Sequence, residues 1–266
     1  MTYQPAADDL ASAIAVTVDR LVIAVHRQVM AQHRARIATL LDGLAGGRAF
    51  DHPGYIYDLA EFLAAGQCTD ALVRRRFVYD DEGASALVGR LVELRLIGSS
   101  GRPGPRLGAA AEMLGLRERM ADDLWPIDLD AAEGGATALL AAADGPLASA
   151  FAALPHPTAA AARLHHLLNG ARYIRFDAHV EAWRAVPLDP VEITALTVAL
   201  DGGIDGAPPP GLLDRGWVAD DGQITDAGIE ARRDIEDGTN RRYRETLAAV
   251  PEAAGWLEAL RRLPDR

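Results

Sequence analysis

The chain has 266 residues and is 49% apolar, which is enough for one large domain or two domains of ordinary size. Its formal net charge is −11, and all 27 of its basic residues are arginine. The lack of lysine excludes Schiff-base catalysis and a phosphate loop that depends on lysine. A single cysteine, Cys68, excludes an intrachain disulfide and a cysteine-based zinc cluster.

The first residues, MTYQPAADDLASA, contain neither a basic segment nor an apolar one, so we expect no signal peptide. The apolar runs are too short to span a bilayer. We therefore expect a cytoplasmic protein that has no membrane partner. The abundance of alanine and the scarcity of aromatic residues favour closely packed helices.

The first predicted element is a helix over residues 8–43, where apolar residues recur at helical spacing before a glycine-rich stretch. We take residues 1–47 as an N-terminal segment built on this helix. Its expected role is to complete the core or to form a homodimer interface.

Residues 48–153 are predicted to form a first winged-helix module. Three short helices, starting at Pro53, Thr69 and Asp80, precede the segment LIGSSGRPGPRL (96–107). That segment is typical of two short strands around a tight turn, which is the wing of a winged helix-turn-helix. Helices over 108–123 and, in pieces, 136–152 follow.

Residues 154–266 are predicted to form a central helix (158–185) followed by a second winged-helix module. A helix over 190–200, a loop, a wing from 211 and two further helices complete the module. The two wing segments have the same order of elements, which indicates an internal repeat. The second copy is shortened, because three consecutive prolines (208–210) stand where a recognition helix is expected.

Arginines of the first module are candidates for contacts with DNA phosphates. Over residues 71–106, seven arginines face four carboxylates, an excess of about three positive charges. The candidates are Arg74, Arg75, Arg76, Arg90, Arg102 and Arg106. The alternative is a solvated face paired with nearby acids. The second wing carries Asp214, Asp220, Asp221 and Asp226, so we expect DNA contact through the first module only.

The central helix carries the richest polar cluster, in HHLLNGARYIRFDAHVEAW (165–183). The candidate ligand-binding residues are His165, His166, Tyr173, Arg175, Asp177, His179 and Trp183. In one interpretation Asp177 orients His179, or Arg175 binds an anionic ligand through its forked guanidinium. An added His165 or His166 would allow contact with a metal or a haem. In the other interpretation these groups form a structural network.

No nucleophile motif, phosphate loop or H-E-x-x-H pattern occurs in the chain. The sequence therefore assigns no catalytic residue, no cofactor and no metal site.

Two stretches carry a resemblance to known proteins. The segment GQITDAGIEARRDIEDGTN is similar to the wing and following helix of MarR-type winged-helix proteins. Arg175, Asp177, His179 and Val180 form an R-x-D-x-H-V pattern, which resembles a bacterial family where such a helix precedes a MarR-like wing. The resemblance covers residues 150–249. The resemblance implies a winged-helix fold, and together with the internal repeat we expect a mainly α fold of tandem winged helix-turn-helix modules with long connecting helices and short two-stranded wings.

Three functions remain open at this point. The first is a regulator of transcription, or another small-molecule-binding protein, with a ligand site between the two modules. The second is an enzyme of specialised metabolism on a reused winged-helix scaffold, with Arg175, Asp177 and His179 around the substrate, a metal or a haem. The third is a protein-interaction module.

Overall fold

A computed structural model describes residues 9–42, 54–98, 102–105, 107–125 and 128–265, which form a mainly helical fold. Within these residues the helices are α1 (Leu10–Asp42), α2 (Gly54–Ala65), α3 (Asp70–Arg76), α4 (Asp81–Glu93), α5 (Gly108–Leu124), α6 (Asp130–Ala141), α7 (Pro146–Ala152), α8 (Ala160–Arg184), α9 (Pro190–Asp201), α10 (Pro210–Asp214), α11 (Asp226–Leu247) and α12 (Ala253–Arg261). The predicted long helices are confirmed as α1 and α8. Helix α1 is irregular at His33, where φ is −125° and ψ is 17°.

Polar side chains fix the start of several helices. Thr69, Asp80 and Thr225 each accept a hydrogen bond from a backbone amide of the first turn of α3, α4 and α11. Asp189 and Glu192 form a reciprocal capping box at the start of α9. Each bond satisfies an amide that has no partner within its helix, so the sequence sets these boundaries locally.

Helix α8 lies at the centre of the protein. It contacts α1, α5, α6, α7 and α11, and 17 of its 25 residues are buried. Burial on several sides explains why an amphipathic pattern does not dominate this segment. It also requires that the polar side chains of α8 find partners inside the protein.

The buried apolar residues form two clusters that meet along α8. The larger cluster combines α1, α2, α4, α5, α6, α7, the N-terminal half of α8 and α12. The smaller one joins the C-terminal end of α8, from Val180, to α9, Leu212 of α10, Val218 and Ile235. The module boundaries at 47/48 and 153/154 stay a prediction.

Neither predicted wing forms a strand in the part of the chain that the structure describes. Each contains one isolated antiparallel bridge, Ile97 with Pro103 and Val218 with Ile224. The expectation of two-stranded wings is therefore wrong for the described residues. A proline at one bridge position removes a backbone donor, which explains why the first ladder does not extend.

The two wing turns nevertheless share one hydrogen-bond pattern. Arg95 and Gly216 both have positive φ, of 58° and 66°, and end the helix before the turn. In each turn, the amide of the next residue donates to a carbonyl of the preceding helix: Leu96 N to Leu91 O in the first turn, and Trp217 N to Leu212 O in the second. A second amide donates across the turn and closes it: Gly98 N to Arg102 O in the first turn, and Ala219 N to Gln223 O in the second. In both turns five residues lie between the bridge partners.

Helix α10, which occupies the place of a recognition helix in the second predicted module, has only five residues. Its first residue is Pro210, which agrees with the expectation that the proline run prevents a longer helix.

A buried carboxylate joins three helices. Asp177 Oδ2 of α8 accepts hydrogen bonds from the backbone amides of Leu147 and Ala148, both at 2.9 Å, at the start of α7. Its Oδ1 accepts from Arg75 Nε of α3 at 2.8 Å. A Cβ at Gly145 would collide with Asp177, so glycine allows the start of α7 to come this close. Asp177 thus caps α7 from a distance and neutralises a buried arginine.

We expect Asp177→Ala to lower the free energy of unfolding by about 3–5 kcal/mol, because it removes the buried partner of Arg75 and leaves two amides of α7 without their acceptor. Urea denaturation measures this loss. Glu181→Ala is the matched control, since Glu181 also contacts Arg75 but its side chain is 55% exposed. That variant should cost less than about 1 kcal/mol. Equal losses in the two variants would contradict the role of Asp177.

Candidate functional site

Two separate cavities lie along α8, and the residues that line them do not overlap. The larger one, called here the cleft, lies beside residues 171–179 and has a volume of about 1170 Å³. The smaller one, called here the polar cavity, lies beside residues 162–166 and has a volume of about 320 Å³.

The cleft is formed by helices from both ends of the chain. Its walls are α1, the α8 face from Ala171 to His179, α9 and α11, together with Arg76 and Tyr79 from the end of α3 and the following turn. Val16 of α1 and Val198 of α9 lie on it and are 60% and 46% exposed. The cleft therefore combines an apolar surface with polar groups, as ligand pockets do.

A chain of ion pairs connects α8 to α11 at one wall of the cleft. Arg175 Nη2 donates to Glu236 Oε2 at 3.0 Å, and Arg232 Nη1 donates to Glu236 Oε1 at 2.6 Å. His179 Nδ1 lies 3.1 Å from Thr239 Oγ1 and 3.8 Å from Glu236 Oε1. Glu236 therefore holds two arginines side by side at the cleft.

Burial determines the charge state of this wall. It lowers the pKa of His179 to about 4, against the opposing effect of Glu236, so the imidazole is neutral at neutral pH. Burial opposes ionisation of Glu236, but Arg232 and Arg175 outweigh it and lower the pKa of this carboxyl. Burial also raises the pKa of Tyr79 to about 12, so its phenol remains protonated.

The cleft is cationic although the chain is strongly anionic. Six arginines line it: Arg20, Arg27, Arg76, Arg172, Arg175 and Arg232. Three carboxylates pair with four of them, namely Asp265 with Arg20, Asp19 with Arg172, and Glu236 with Arg175 and Arg232. Arg76 aside, five arginines face three carboxylates, which is an excess of about two positive charges among the described side chains. Arg27 is exposed and has no ion pair with any described residue.

The structure divides the ligand-binding candidates among four environments. Tyr173, Arg175 and His179 line the cleft. His165 and His166 line the polar cavity. Trp183 is buried in the smaller apolar cluster, and Asp177 lies at the α3–α7–α8 junction. Glu236 and Thr239 lie beside His179. The sequence-based interpretation that Asp177 orients His179 is therefore wrong.

Sequence reasoning missed the polar residues of α11 that bond to one another and to α8 beside the cleft. Arg232, Glu236 and Asn240 recur every four residues, so they share one helix face, and that face meets α8. This polar stripe was a usable signal, because Ile235 and Tyr243 on the same helix are buried. Arg20 and Arg27 belong to no comparable polar stripe on α1, so the sequence did not indicate that they line the cleft.

Four of the six DNA-contact candidates make contacts within the chain. Arg74 pairs with Asp70, Arg75 with Asp177, and Arg90 with Glu93; Arg76 stacks over the ring of Phe176 at 5.0 Å. Arg102 is exposed, and Arg106 lies outside the described residues.

The charged residues that α4, the third helix of the first predicted module, exposes to solvent are all acidic. Asp81 and Glu82 are exposed at its start, and Glu93 is exposed at its end. The first turn of a recognition helix contacts base edges, where carboxylates face a polyanion. Direct contact of these residues with phosphates is therefore unfavourable.

The two adjacent histidines of α8 are buried among aromatic rings. The His165 ring lies 5.3 Å from that of His26, and the His166 ring stacks on Phe151 at 4.5 Å. Burial, followed by the nearby Arg117, lowers the pKa of His26 and His165 well below the ordinary value, and burial lowers that of His166 to about 3. All of these rings are neutral at neutral pH.

We expect stability to decrease as the pH falls from about 6.5 towards 4. In that interval the unfolded chain protonates its histidines while His26, His165, His166 and His179 stay neutral in the folded state, so protonation favours unfolding. Each unit of pKa difference is worth about 1.4 kcal/mol per group. Urea midpoints between pH 7.5 and 4.5 measure the trend.

The variant His166→Phe should show a shallower dependence on pH, because it removes one of these groups and keeps an aromatic ring against Phe151. His33→Gln, on the partly exposed side of α1, should leave the dependence unchanged. Constant stability from pH 7.5 to 5 would contradict the assignment.

None of the helices described by the structure is long and apolar enough to cross a membrane. Within the same residues, no three histidine, cysteine, aspartate or glutamate side chains are arranged to hold a metal ion. Cys68 is buried, and burial raises its pKa to about 12, as for a structural thiol.

Comparison with known proteins gives one family. Searches of curated proteins and of solved structures find no match to the chain. A model of a helix-turn-helix family matches residues 106–265, which include α8, the second wing turn, α11 and α12. Since this match covers more than half of the chain, the protein belongs to that helix-turn-helix family.

Proposed function

We propose that this helix-turn-helix protein is a regulatory protein whose cleft binds a small amphipathic anion. The observation that carries the proposal is the excess of arginine around an apolar cleft in a chain of net charge −11. Guanidinium groups bind carboxylates and phosphates through paired hydrogen bonds. The exposed Val16 and Val198 provide a surface for an apolar body.

The cleft is also in a position to influence the first helix-turn-helix unit. Arg76, the last residue of α3, and Tyr79, in the turn that follows α3, line the cleft together with residues of α8. Arg75 of the same helix is anchored to Asp177. An anion that attracts Arg76 would therefore act on α3 against a fixed neighbour. This arrangement supports a ligand-dependent change in the first module.

Binding is favoured over catalysis at this site. The enzyme interpretation needs Asp177 beside His179, and the carboxylate of Asp177 is bonded to two amides of α7 and to Arg75. His179 instead contacts Thr239, and its low pKa makes it a weak base at neutral pH. No specific contact favours the protein-interaction module.

We further propose that the protein is MarR-like and contains two copies of a winged-helix unit. The matching hydrogen bonds of the two wing turns support this duplication, as does the equal spacing of their bridges. A homodimer through α1 stays a prediction.

We expect the cleft to select ligands by charge. Three probes share one apolar body: 2-naphthoate, neutral 2-naphthamide and cationic 2-naphthylmethylammonium. Isothermal titration should give the tightest binding for the anion and the weakest for the cation, because the cleft carries excess positive charge. Arg27→Gln should weaken 2-naphthoate binding about three- to tenfold, which corresponds to about 0.7–1.4 kcal/mol.

Arg34→Gln is the control, since Arg34 is exposed on the same helix but does not line the cleft. Its affinity for 2-naphthoate should equal that of the unchanged protein. Equal affinities for the three probes would sink the proposal, as would failure of all three to bind.

Duplex DNA is the second proposed partner, because membership of a helix-turn-helix family is typical of DNA-binding regulators. The order α2, α3, α4 and wing turn fits such a module. Four of the arginine candidates contact other side chains of the protein, namely Arg74, Arg75, Arg76 and Arg90. We therefore restrict the proposed phosphate contacts to Arg102 in the wing turn and to Arg106, which lies outside the described residues.

We expect a shallow salt dependence of DNA binding. Two phosphate contacts give a slope of about −2 in a plot of log affinity against log salt, whereas six would give about −5. Fluorescence anisotropy with a labelled random-sequence duplex measures this slope. Arg102→Gln should reduce its magnitude by about one, while Arg74→Gln should not change it. A slope near −5 in the unchanged protein would contradict the restriction.

A further inference from the structure

The polar cavity lies away from the cleft and has its own set of buried groups. It is lined by α2, α5, the N-terminal half of α8 and residues 154–157, which precede α8. Its volume of about 320 Å³ is at the lower end of the range of ligand pockets, roughly 300–1,000 Å³. Any occupant is therefore small.

Three side chains that line this cavity are more than nine-tenths buried and keep an atom that has no hydrogen-bond partner among the described residues. These atoms are Glu61 Oε2, His165 Nε2 and His166 Nε2. A buried polar atom that lacks a partner costs about 1–3 kcal/mol. Because all three residues line one cavity, an occupant that bonds to these atoms would offset the cost.

The buried contacts of the cavity wall balance one carboxylate against one guanidinium, while the half-buried Glu118, which also lines the cavity, adds a carboxyl group whose pKa is raised by burial. Arg117 Nη1 lies 3.1 Å from Glu61 Oε1, which also accepts from Asn169 Nδ2 at 3.2 Å. The buried guanidinium thus balances the buried carboxylate. Burial lowers the pKa of both His165 and His166, which adds no charge at neutral pH. An uncharged occupant fits this wall, because an additional buried charge would have no partner.

The remaining walls favour a flat organic molecule. Leu114, Leu154, Pro155 and Pro157 supply apolar surface, and the rings of His165 and His166 supply aromatic faces. Metal coordination has less support, since the described histidines and carboxylates are not arranged in a group of three that could hold an ion.

We infer that the polar cavity is a second binding site, which takes a small, uncharged aromatic amide or nitrogen heterocycle through Glu61, His165 and His166. An N–H group of the ligand donates to Glu61 Oε2. The histidine Nε2 atoms bond to the polar edge of the ligand, as donor or acceptor according to the tautomer. This site does not depend on the cleft or on its anionic ligand.

The test uses the full chain and three probes of similar shape: benzamide, acetophenone and benzoate. Benzamide should bind saturably with a Kd in the millimolar range or below. Acetophenone, in which a methyl group replaces the NH₂ donor, should bind at least about tenfold more weakly, because Glu61 Oε2 then stays unpaired. Benzoate should bind at least as weakly as acetophenone through repulsion by the carboxylate of Glu61.

Long-range ¹⁵N–¹H spectra of the histidine rings provide the direct readout. Benzamide should shift the Nε2 resonances of His165 and His166, and His166→Phe should weaken binding at least about fivefold. Arg27→Gln should leave benzamide binding unchanged, which separates this site from the cleft. Failure of anions to bind the cleft would therefore leave this result intact.

The opposite results overturn the inference. If the histidine resonances do not move up to the solubility limit of benzamide, the cavity holds water only. Equal affinity for benzamide and acetophenone would show that no donor is recognised. This comparison uses the unchanged protein, so it decides the question even if His166→Phe fails to fold, which circular dichroism would reveal.

Discussion

The burial of α8 is the constraint on which the rest of the structure depends. A helix that contacts five others cannot leave its polar side chains in water, so each needs a partner on a neighbouring element. Asp177 meets the start of α7 and Arg75, while Arg175 meets Glu236. The polar pattern of α8 therefore specifies which helices surround it and in which orientation.

The same constraint separates two kinds of polar group along the helix. At the C-terminal half, arginines from α8 and α11 share Glu236 and border an open cleft, where solvent or a ligand can reach them. At the N-terminal half, His165 and His166 are enclosed among aromatic rings and a small cavity. The polar groups of the C-terminal half are charged and interact mainly as ion pairs, whereas those of the N-terminal half include uncharged histidines that need hydrogen-bond partners.

The position of α3 joins the cleft to the first predicted module. Its three consecutive arginines point to different neighbours: Arg74 to Asp70 on its own helix, Arg75 to Asp177, and Arg76 to the ring of Phe176. A run of basic residues that indicates a DNA-binding face in the sequence thus becomes, in part, an internal connection. Family membership supports DNA as a proposed partner, and the acidic charges that α4 exposes restrict where the proposed contacts lie.

The sequence by itself determined the helices, their caps and the broad class of the protein, because those features depend on neighbours a few residues apart. It located the polar cluster on α8 and the short α10 after the proline run. Only the tertiary structure decided that Asp177 and His179 contact different partners, and that Arg20, Arg27 and Arg232 line the cleft. Residues two apart on a helix point in different directions, and the partners that meet them come from helices far away in the chain.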